Sequence, residues 1–446
     1  MKNKSISHIK EIQIYLPPFI QDIIQRLQYA GFEAYAVGGA VRDLCLHRPI
    51  MDWDVTTSAD PPEIRKVFGG VKNFSLKHET ITLLHADSHC EVTPFRGDKE
   101  QSHSLLDDFG HRDFTINAMA YDIETNEIID PYDGRGDLQR KVVRAVGRPE
   151  DRFREDPIRV LRAVRIAHEL GFRIEQKTRD AIVQMADQLT YTANERIRDE
   201  LMKILLSPKP SRAFRLMNRT GLLGYILPEL LEGKGKRQNS HHQYTIYRHI
   251  METMDYVQAE PFIRLTALFH DIAKPRARKK INGRFRFYGH EEASADLTNE
   301  IMRRLRFSNE TIREVTHLIK NHMVDYDPQW TDGAVRRFIQ RVGPHRVAAL
   351  ISFRKADLIA HGKLDHKMKL LDELEKRIHA ITSGPYIKTR IDLAINGNKV
   401  MEILGLRSGP AVGDILNILM ARVTENPEDN TEEALINMVR EFKNHA

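Results

Sequence analysis

The run Asp52-Trp53-Asp54 follows Gly38-Gly39-Ala40-Val41-Arg42-Asp43 by nine residues, and no other feature narrows the options for this chain as much. Alternate residues of a strand share a face, so Asp52 and Asp54 can hold metal ions together. A Gly-Gly turn lets backbone N–H groups approach a polyphosphate closely, and Arg42 adds charge beside it. Two carboxylates gathering Mg²⁺ ions next to a triphosphate site describe a nucleotidyl transferase. A lone Asp-x-Asp is commonplace as a surface turn. Here it is followed by Glu91 in the strand-like run CEVTPFR, by HRDFTINA at 111–118, and by the turn-dense DPYDGRGDL at 130–138. Glu91 supplies a third carboxylate that can join the first two.

A chain of 446 residues has room for three or four domains, and 41% hydrophobic with 29% charged residues fits a soluble globular protein. The net charge of +6 permits an RNA partner without requiring one. The basic residues cluster, with five arginines from Arg152 to Arg165 and seven Lys or Arg from Lys274 to Arg286. Cys45 and Cys90 are too few for a disulfide framework, so a reducing compartment fits. With no secretory signal and no apolar run of membrane-spanning length, the expected location is the cytoplasm, without a membrane partner.

Residues 1–30 read as helical, interrupted at Pro17-Pro18. Short strands are expected over Ala34–Val37, Val55–Thr57, Thr80–His85, Cys90–Phe95 and Ala118–Asp122, with a helix over Pro61–Phe68. After Val146 the pattern turns helical: Pro157–Leu170, Ile174–Gln188, Glu195–Leu206, and one or two helices over Pro210–Leu231. The polar, basic stretch Glu232–Ser240 reads as a boundary. The expected division is a head over 1–147, a helical neck over 148–231, a helical domain over 241–362 and a helical tail over 363–446.

The ordered set GGAVRD, DWDVTT, EVTPFR, HRDFTINA, DPYDGRGDL and REDPIRVLRAVR resembles the class II tRNA nucleotidyltransferases, the bacterial CCA-adding enzymes and their relatives, from about Ala34 to Leu206. The resemblance implies an α+β nucleotidyltransferase head of the DNA polymerase β type, followed by a long all-α neck, body and tail that grip tRNA. It implies Asp52 and Asp54 as Mg²⁺ ligands and Glu91 as the third catalytic carboxylate. Gly39, Arg42, Arg112 and Asp113 match positions that contact the nucleotide. In Glu155-Asp156-Pro157-Ile158-Arg159, Asp156 and Arg159 stand three apart at an expected helix start, so they are read as projecting from one face. Such a pair can read the Watson–Crick edge of C or A and refuse U and G, and the family uses it to choose the base. Arg162 and Arg165 continue that face and match arginines near the nucleotide. The bland alternatives are a surface ion pair for Asp156 and Arg159, and a turn hydrogen bond for Asn117.

Gly97 to Gly110 spans only 14 residues and lacks the basic, proline-containing stretch of full CCA-adding members. That segment helps the switch from CTP to ATP, so its shortness resembles members that add only CC.

A second candidate metal site is formed by His249, His270, Asp271 and Asp357, with His290 and His322 between them. The pattern resembles HD phosphohydrolases and suits a divalent transition metal. Its bland reading is a degenerate helical domain whose histidines cap helices or touch RNA. His241-His242 read as loop residues. The glycine-bounded turn Leu404–Pro410 reads as a helix connector or an RNA-phosphate contact in the tail. The expected activity is addition of cytidines, CC or the full CCA, to tRNA 3′ ends from CTP, with ATP as a further candidate substrate. The alternatives are a poly(A) polymerase, a metal-dependent phosphohydrolase, and an inactive tRNA-binding protein. Oligomeric state is not encoded legibly.

Overall fold

A computed structural model describes residues 16–50, 52–69, 73–75, 80–85, 88–97, 104–238, 243–362, 365–384 and 390–444. The helical expectation for 1–15, His241-His242, and residues 98–103 of the short segment lie outside them. Contacts divide the chain into two units: 1–200 with 212–226, and 201–211 with 227–446.

The first unit is built on a seven-stranded sheet. Its strands are β1 (Ala34–Val37), β2 (Trp53–Thr57), β3 (Asn73–Ser75), β4 (Ile81–His85), β5 (Ser88–Pro94), β6 (Ala120–Asp122) and β7 (Glu127–Ile129), in spatial order β3-β4-β5-β2-β1-β6-β7. β2 and β5 run parallel and the other neighbours antiparallel. The parallel pairing sets Val55 beside Val92, both buried, and Asp54 beside Glu91, both only partly covered. Because strand side chains alternate, this register sends the valines to one face and the acids to the other.

Pro18 at its first turn and a stripe of Ile20, Ile23, Ile24 and Leu27 make Pro18–Tyr29 an amphipathic helix packed on β1 and β2. Each of those four is buried, contributing about 1.5–3 kcal/mol apiece. The Pro61–Val67 helix starts on an Asp60/Glu63 capping box. Helices Arg159–Leu170, Gln176–Gln184 and the start of Asn194–Leu206 follow, with a small parallel pair, β8 (Val142–Val143) and β9 (Arg173–Ile174). Residues 186–191 form a 3₁₀ turn where one continuous helix to Gln188 was expected. Three short helices, Ser211–Arg219, Leu222–Ile226 and Pro228–Leu231, replace the expected one or two. Gly221, at φ 80°, breaks the first pair.

The second unit is helical apart from an antiparallel ribbon, β10 (Lys279–Ile281) and β11 (Arg284–Arg286). Its last helices, Gly397–Leu404, Pro410–Glu425 and Glu432–Asn444, close around Val400, Leu419, Val423, Leu435 and Val439. The Leu404–Pro410 turn links the first two, with Gly405 at φ 67°. Among the described residues no helix is long and apolar enough to cross a membrane.

Candidate active site

β2 delivers Asp54 and β5 delivers Glu91 in direct register. Asp52 precedes the first residue of β2, is solvent-exposed, and has His89 Nε2 3.6 Å from its Oδ1. Burial pushes the Asp54 carboxyl up to about 6; Arg112 and Arg162 pull it down, while Glu91 and Asp52 raise it further. Burial is the main cause, and Glu91 and Asp52 add to it, as carboxylates gathered at one place do. Hard carboxylate oxygens are the donor set Mg²⁺ takes, so Asp52 and Asp54 fit the ion the sequence implies.

Gly38 sits at φ 74° at the head of the short helix Gly39–Cys45. A Cβ there would lie 3.1 Å from Arg112 Nη1 and 3.3 Å from Asp54 Oδ2. The glycine therefore supplies both a left-handed turn and the space that the Arg112 guanidinium and the Asp54 carboxylate approach. Arg112 is aimed by Asp108, which is fully buried and accepts from its Nε at 2.9 Å.

Arg42, Asn117, Asp113 and Arg162 form one chain of hydrogen bonds, and Arg165 joins it through Glu200. Arg42 holds Asp43 through two nitrogens and donates to Asn117 Oδ1 at 2.9 Å. Asn117 donates to Asp113 Oδ1 at 3.0 Å, and Asp113 Oδ2 accepts from Arg162 Nε and Nη2 at 2.9 and 2.7 Å. Arg165 donates to Glu200 at 2.6 Å, and Glu200 also lies 3.9 Å from Arg162. Burial alone would raise the Asp113 carboxyl, yet Arg162 and Asn117 hold it well below the carboxylate range. Asp113 is buried and spent on positioning Arg162, and Asn117 is the link between the two arginines.

Asp156 and Arg159 correct one expectation: they do not project from one helical face. Asp156 is extended (φ −149°, ψ 99°) at the end of Pro149–Glu155, and the next helix starts at Arg159. The cause is Pro157, which disfavours helical geometry in the residue before it. Their backbones bond, Arg159 N–H to the Asp156 carbonyl at 3.1 Å, but among the described residues their side chains take other partners. Asp156 accepts two bonds from Arg196, both 2.8 Å. Arg159 is buried and donates to the carbonyls of His111 (2.7 Å) and Arg152 (3.2 Å) and to Glu155.

The second unit gathers the other candidate set. His249 Nε2 lies 2.8 Å from Asp357 Oδ1 and 3.3 Å from His270 Nε2, and His270 Nε2 lies 3.4 Å from Asp271. All four are at least 98% buried. His290 and His322 approach Asp271 Oδ1 at 3.3 and 4.0 Å. His270, His290 and His322 each turn Nδ1 to a backbone carbonyl, of Ala267, Phe287 and Ile319, at 2.7–3.0 Å. That arrangement fixes the tautomer and leaves Nε2 as the inward lone pair, as in metal-ligating histidines. Burial opposes the charge of Asp271 and Asp357, but Lys274 and Arg354 keep both well below the carboxylate range. Burial pushes His322 down to about 3. Asp357 Oδ1 and Asp271 Oδ1 face histidine nitrogens, His249 Nε2 at 2.8 Å and His290 Nε2 at 3.3 Å. Carboxylate oxygens and imidazole nitrogens converging in a dry interior fit a cation. Three overlapping sets draw their ligand atoms within 4.8 Å: His249/Asp357/His361, His249/His270/Asp271 and Asp271/His290/His322.

A family model described as the Poly A polymerase head domain matches residues 34–144. Another, a probable RNA- and SrmB-binding site of polymerase A, matches 171–233, and a putative tRNA nucleotidyltransferase domain 2 matches 290–439. The CCA-adding enzyme of Geobacillus stearothermophilus is 32% identical over 443 residues, covering 94% of this chain and 96% of that one. The A-adding tRNA nucleotidyltransferase of Deinococcus radiodurans is 34% identical over 331 residues, covering 71% and 74%. The crystal structure of the Bacillus stearothermophilus CCA-adding enzyme in complex with CTP superposes with a TM-score of 0.72 at 30% identity, covering 96% of this chain and 99% of that one. The chain belongs to the CCA-adding tRNA nucleotidyltransferase family.

Within this family member, sequence reasoning missed Asp108, Arg196, Glu200 and His361. Arg196 and Glu200 stand four apart on Asn194–Leu206, so one helical face carries both. That spacing was the available signal; their partners, 40 and 35 residues away, were not legible from it.

Proposed function

We propose that this protein adds cytidines to the 3′ end of tRNA from CTP, stopping at CC, by template-independent transfer in the head. The register that sets Asp54 beside Glu91, with Arg112 and Asp54 both close to the Gly38 turn, carries the proposal. The primer 3′-oxygen bonds the α-phosphorus, the bond to the β-phosphate oxygen breaks, and pyrophosphate leaves. Glu91 is placed to orient the 3′-hydroxyl and take its proton. Bound Mg²⁺, held by Asp52 and Asp54, supplies charge neutralisation of the triphosphate and acidifies that hydroxyl. Gly39 at the turn and Arg42, Arg112, Arg162 and Arg165 around it bind and orient the triphosphate and sugar, and the Asp113–Asn117 link keeps two of these cations fixed. Asp156 and Arg159 read the base, with Asp156 exchanging Arg196 for the exocyclic amine of cytosine. The short segment after β5 supports termination at CC. The solved relative's CTP complex supports the nucleotide, and the relative named as A-adding supports addition here short of the full CCA.

The deciding assay gives the protein tRNA ending at the discriminator base with CTP, ATP, or both. Extension by two with CTP and no further with ATP is expected. Extension by three replaces CC with full CCA addition, and a long adenosine tail replaces both with poly(A) synthesis.

A second reading is favoured by the buried His and Asp ligand atoms that lie within 4.8 Å of one another around His249 and Asp271. The His249, His270, Asp271 and Asp357 cluster is read as a divalent transition-metal centre of HD phosphohydrolase type, carrying a separate phosphohydrolase activity.

A further inference from the structure

Of the seven cations between Lys274 and Arg286, Arg278 stacks on Phe285 and the other six fall into two environments. Lys274 bonds Asp271 and Arg276 bonds Glu232, so both are spent on internal pairs. Lys279, Lys280, Arg284 and Arg286 are exposed, and among the described residues none makes an ion pair within 4.0 Å. From Ile272 to Gly289 the sequence contains no Asp or Glu.

β10 and β11 set Lys279 opposite Arg286, Lys280 opposite Phe285 and Ile281 opposite Arg284. Asn282 and Gly283, at φ 50° and 76°, make the tight turn whose twist suits such a ribbon. Directly opposed residues share a face, so Lys279, Arg284 and Arg286 form a cationic face with Ile281. Like charges facing each other oppose strand pairing, and a lone two-stranded hairpin has little stability to spare. The ribbon therefore carries a charge pattern that its own fold does not reward and that a polyanion would. On the other face, Arg278 stacks its guanidinium 3.5 Å from the Phe285 ring centroid, stiffening the base of the ribbon. Tyr288, 74% exposed just beyond β11, offers a ring beside the cations.

We infer that the β10–β11 ribbon is an RNA-backbone contact, its Lys279, Arg284 and Arg286 face lying along successive phosphates of the tRNA. The inference rests on the tRNA reading above and adds a binding surface outside the head and tail. Phosphates of a nucleic acid are regularly spaced and tolerate any sequence, which matches cations presented on a strand without hydrogen-bonding side chains for bases.

The test measures tRNA affinity of the full-length protein across salt, from roughly 50 to 300 mM. In the triple variant Lys279→Gln, Arg284→Gln, Arg286→Gln, the slope of log K against log salt should fall by about 2–3, since each phosphate contact contributes about 0.7–0.9. KM for tRNA should rise while kcat holds. A control triple, Arg303→Gln, Arg313→Gln and Lys320→Gln, removes equal charge from the groove lined by helices His290–Arg304 and Asn309–Lys320 and should leave the slope unchanged. Removing like-charge repulsion should leave the unfolding midpoint level or higher, so loss of fold is not the expected cause. An unchanged slope in the ribbon triple, or an equal fall in the control, overturns the inference while cytidine addition stands. Loss of binding to phosphatidylserine vesicles with tRNA binding intact also overturns it. A wild-type protein that neither binds nor extends tRNA defeats the reading beneath it.

Discussion

Replacing Asp54 by Asn should stabilise the folded protein while abolishing nucleotide addition. The Asp54 carboxyl is lifted from its ordinary 3.8 to about 6. A carboxyl raised on folding binds its proton more tightly in the folded state. Its ionised form therefore costs stability, and the cost grows as pH rises from 3.8 through about 6, then stays constant. Two units correspond to about 3 kcal/mol as a ceiling at neutral pH. Partial exposure and screening bring the expected gain to about 1–2 kcal/mol. Denaturant unfolding in chelator, at pH 7.5 and again near pH 3, measures it. The variant should be more stable at the higher pH and equal to wild type at the lower, where both side chains are neutral. Mg²⁺ should stabilise wild type and leave the variant unmoved. A variant that loses stability at neutral pH, or gains as much from Mg²⁺ as wild type, refutes the crowded-carboxylate reasoning.

Three further outcomes are expected. Asp113→Asn strips Arg162 of its buried partner and should cost about 2–4 kcal/mol at pH 7; because Asp113 is held low, the deficit should narrow as pH falls below about 4 in the same unfolding measurement. Asp156→Ala leaves Arg196 solvated and should change stability by less than about 1 kcal/mol, while preference for CTP over UTP, read from competing kcat/KM, should drop at least tenfold. Micromolar Mn²⁺ or Zn²⁺ should raise the unfolding temperature of wild type and not of His270→Ala, with cytidine addition unaffected by the substitution; equal shifts in both proteins would empty the second site of meaning.

The head was legible because its chemistry and its periodicity coincide. β1 is found over the expected Ala34–Val37, and the expected strands over Val55–Thr57 and Cys90–Phe95 overlap β2 and β5, where Val55 and Val92 are buried. Asp52 shows the limit: it lies one residue before β2, so the same-face argument applies strictly to Asp54, and Glu91 joins it through pairing that sequence spacing does not specify. Helical periodicity failed at Asp156 because one proline outweighs three-residue spacing. The bonds that aim the arginines, Asp113 to Arg162 and Glu200 to Arg165, span 49 and 35 residues, and residue order carries no record of such closures. In the second unit the structure brings His249, His270, Asp271 and Asp357 together, yet His361, whose ring packs 4.5 Å from that of His249, escaped notice because a helix-end histidine is ordinarily a cap.

The most direct measurement follows labelled cytidine from CTP into tRNA with wild-type protein and with Asp54→Ala. Two residues incorporated by wild type and none by the variant is the predicted result. Incorporation at the same rate by both proteins would contradict the account, because the acids aligned on β2 and β5 would then have no part in the transfer.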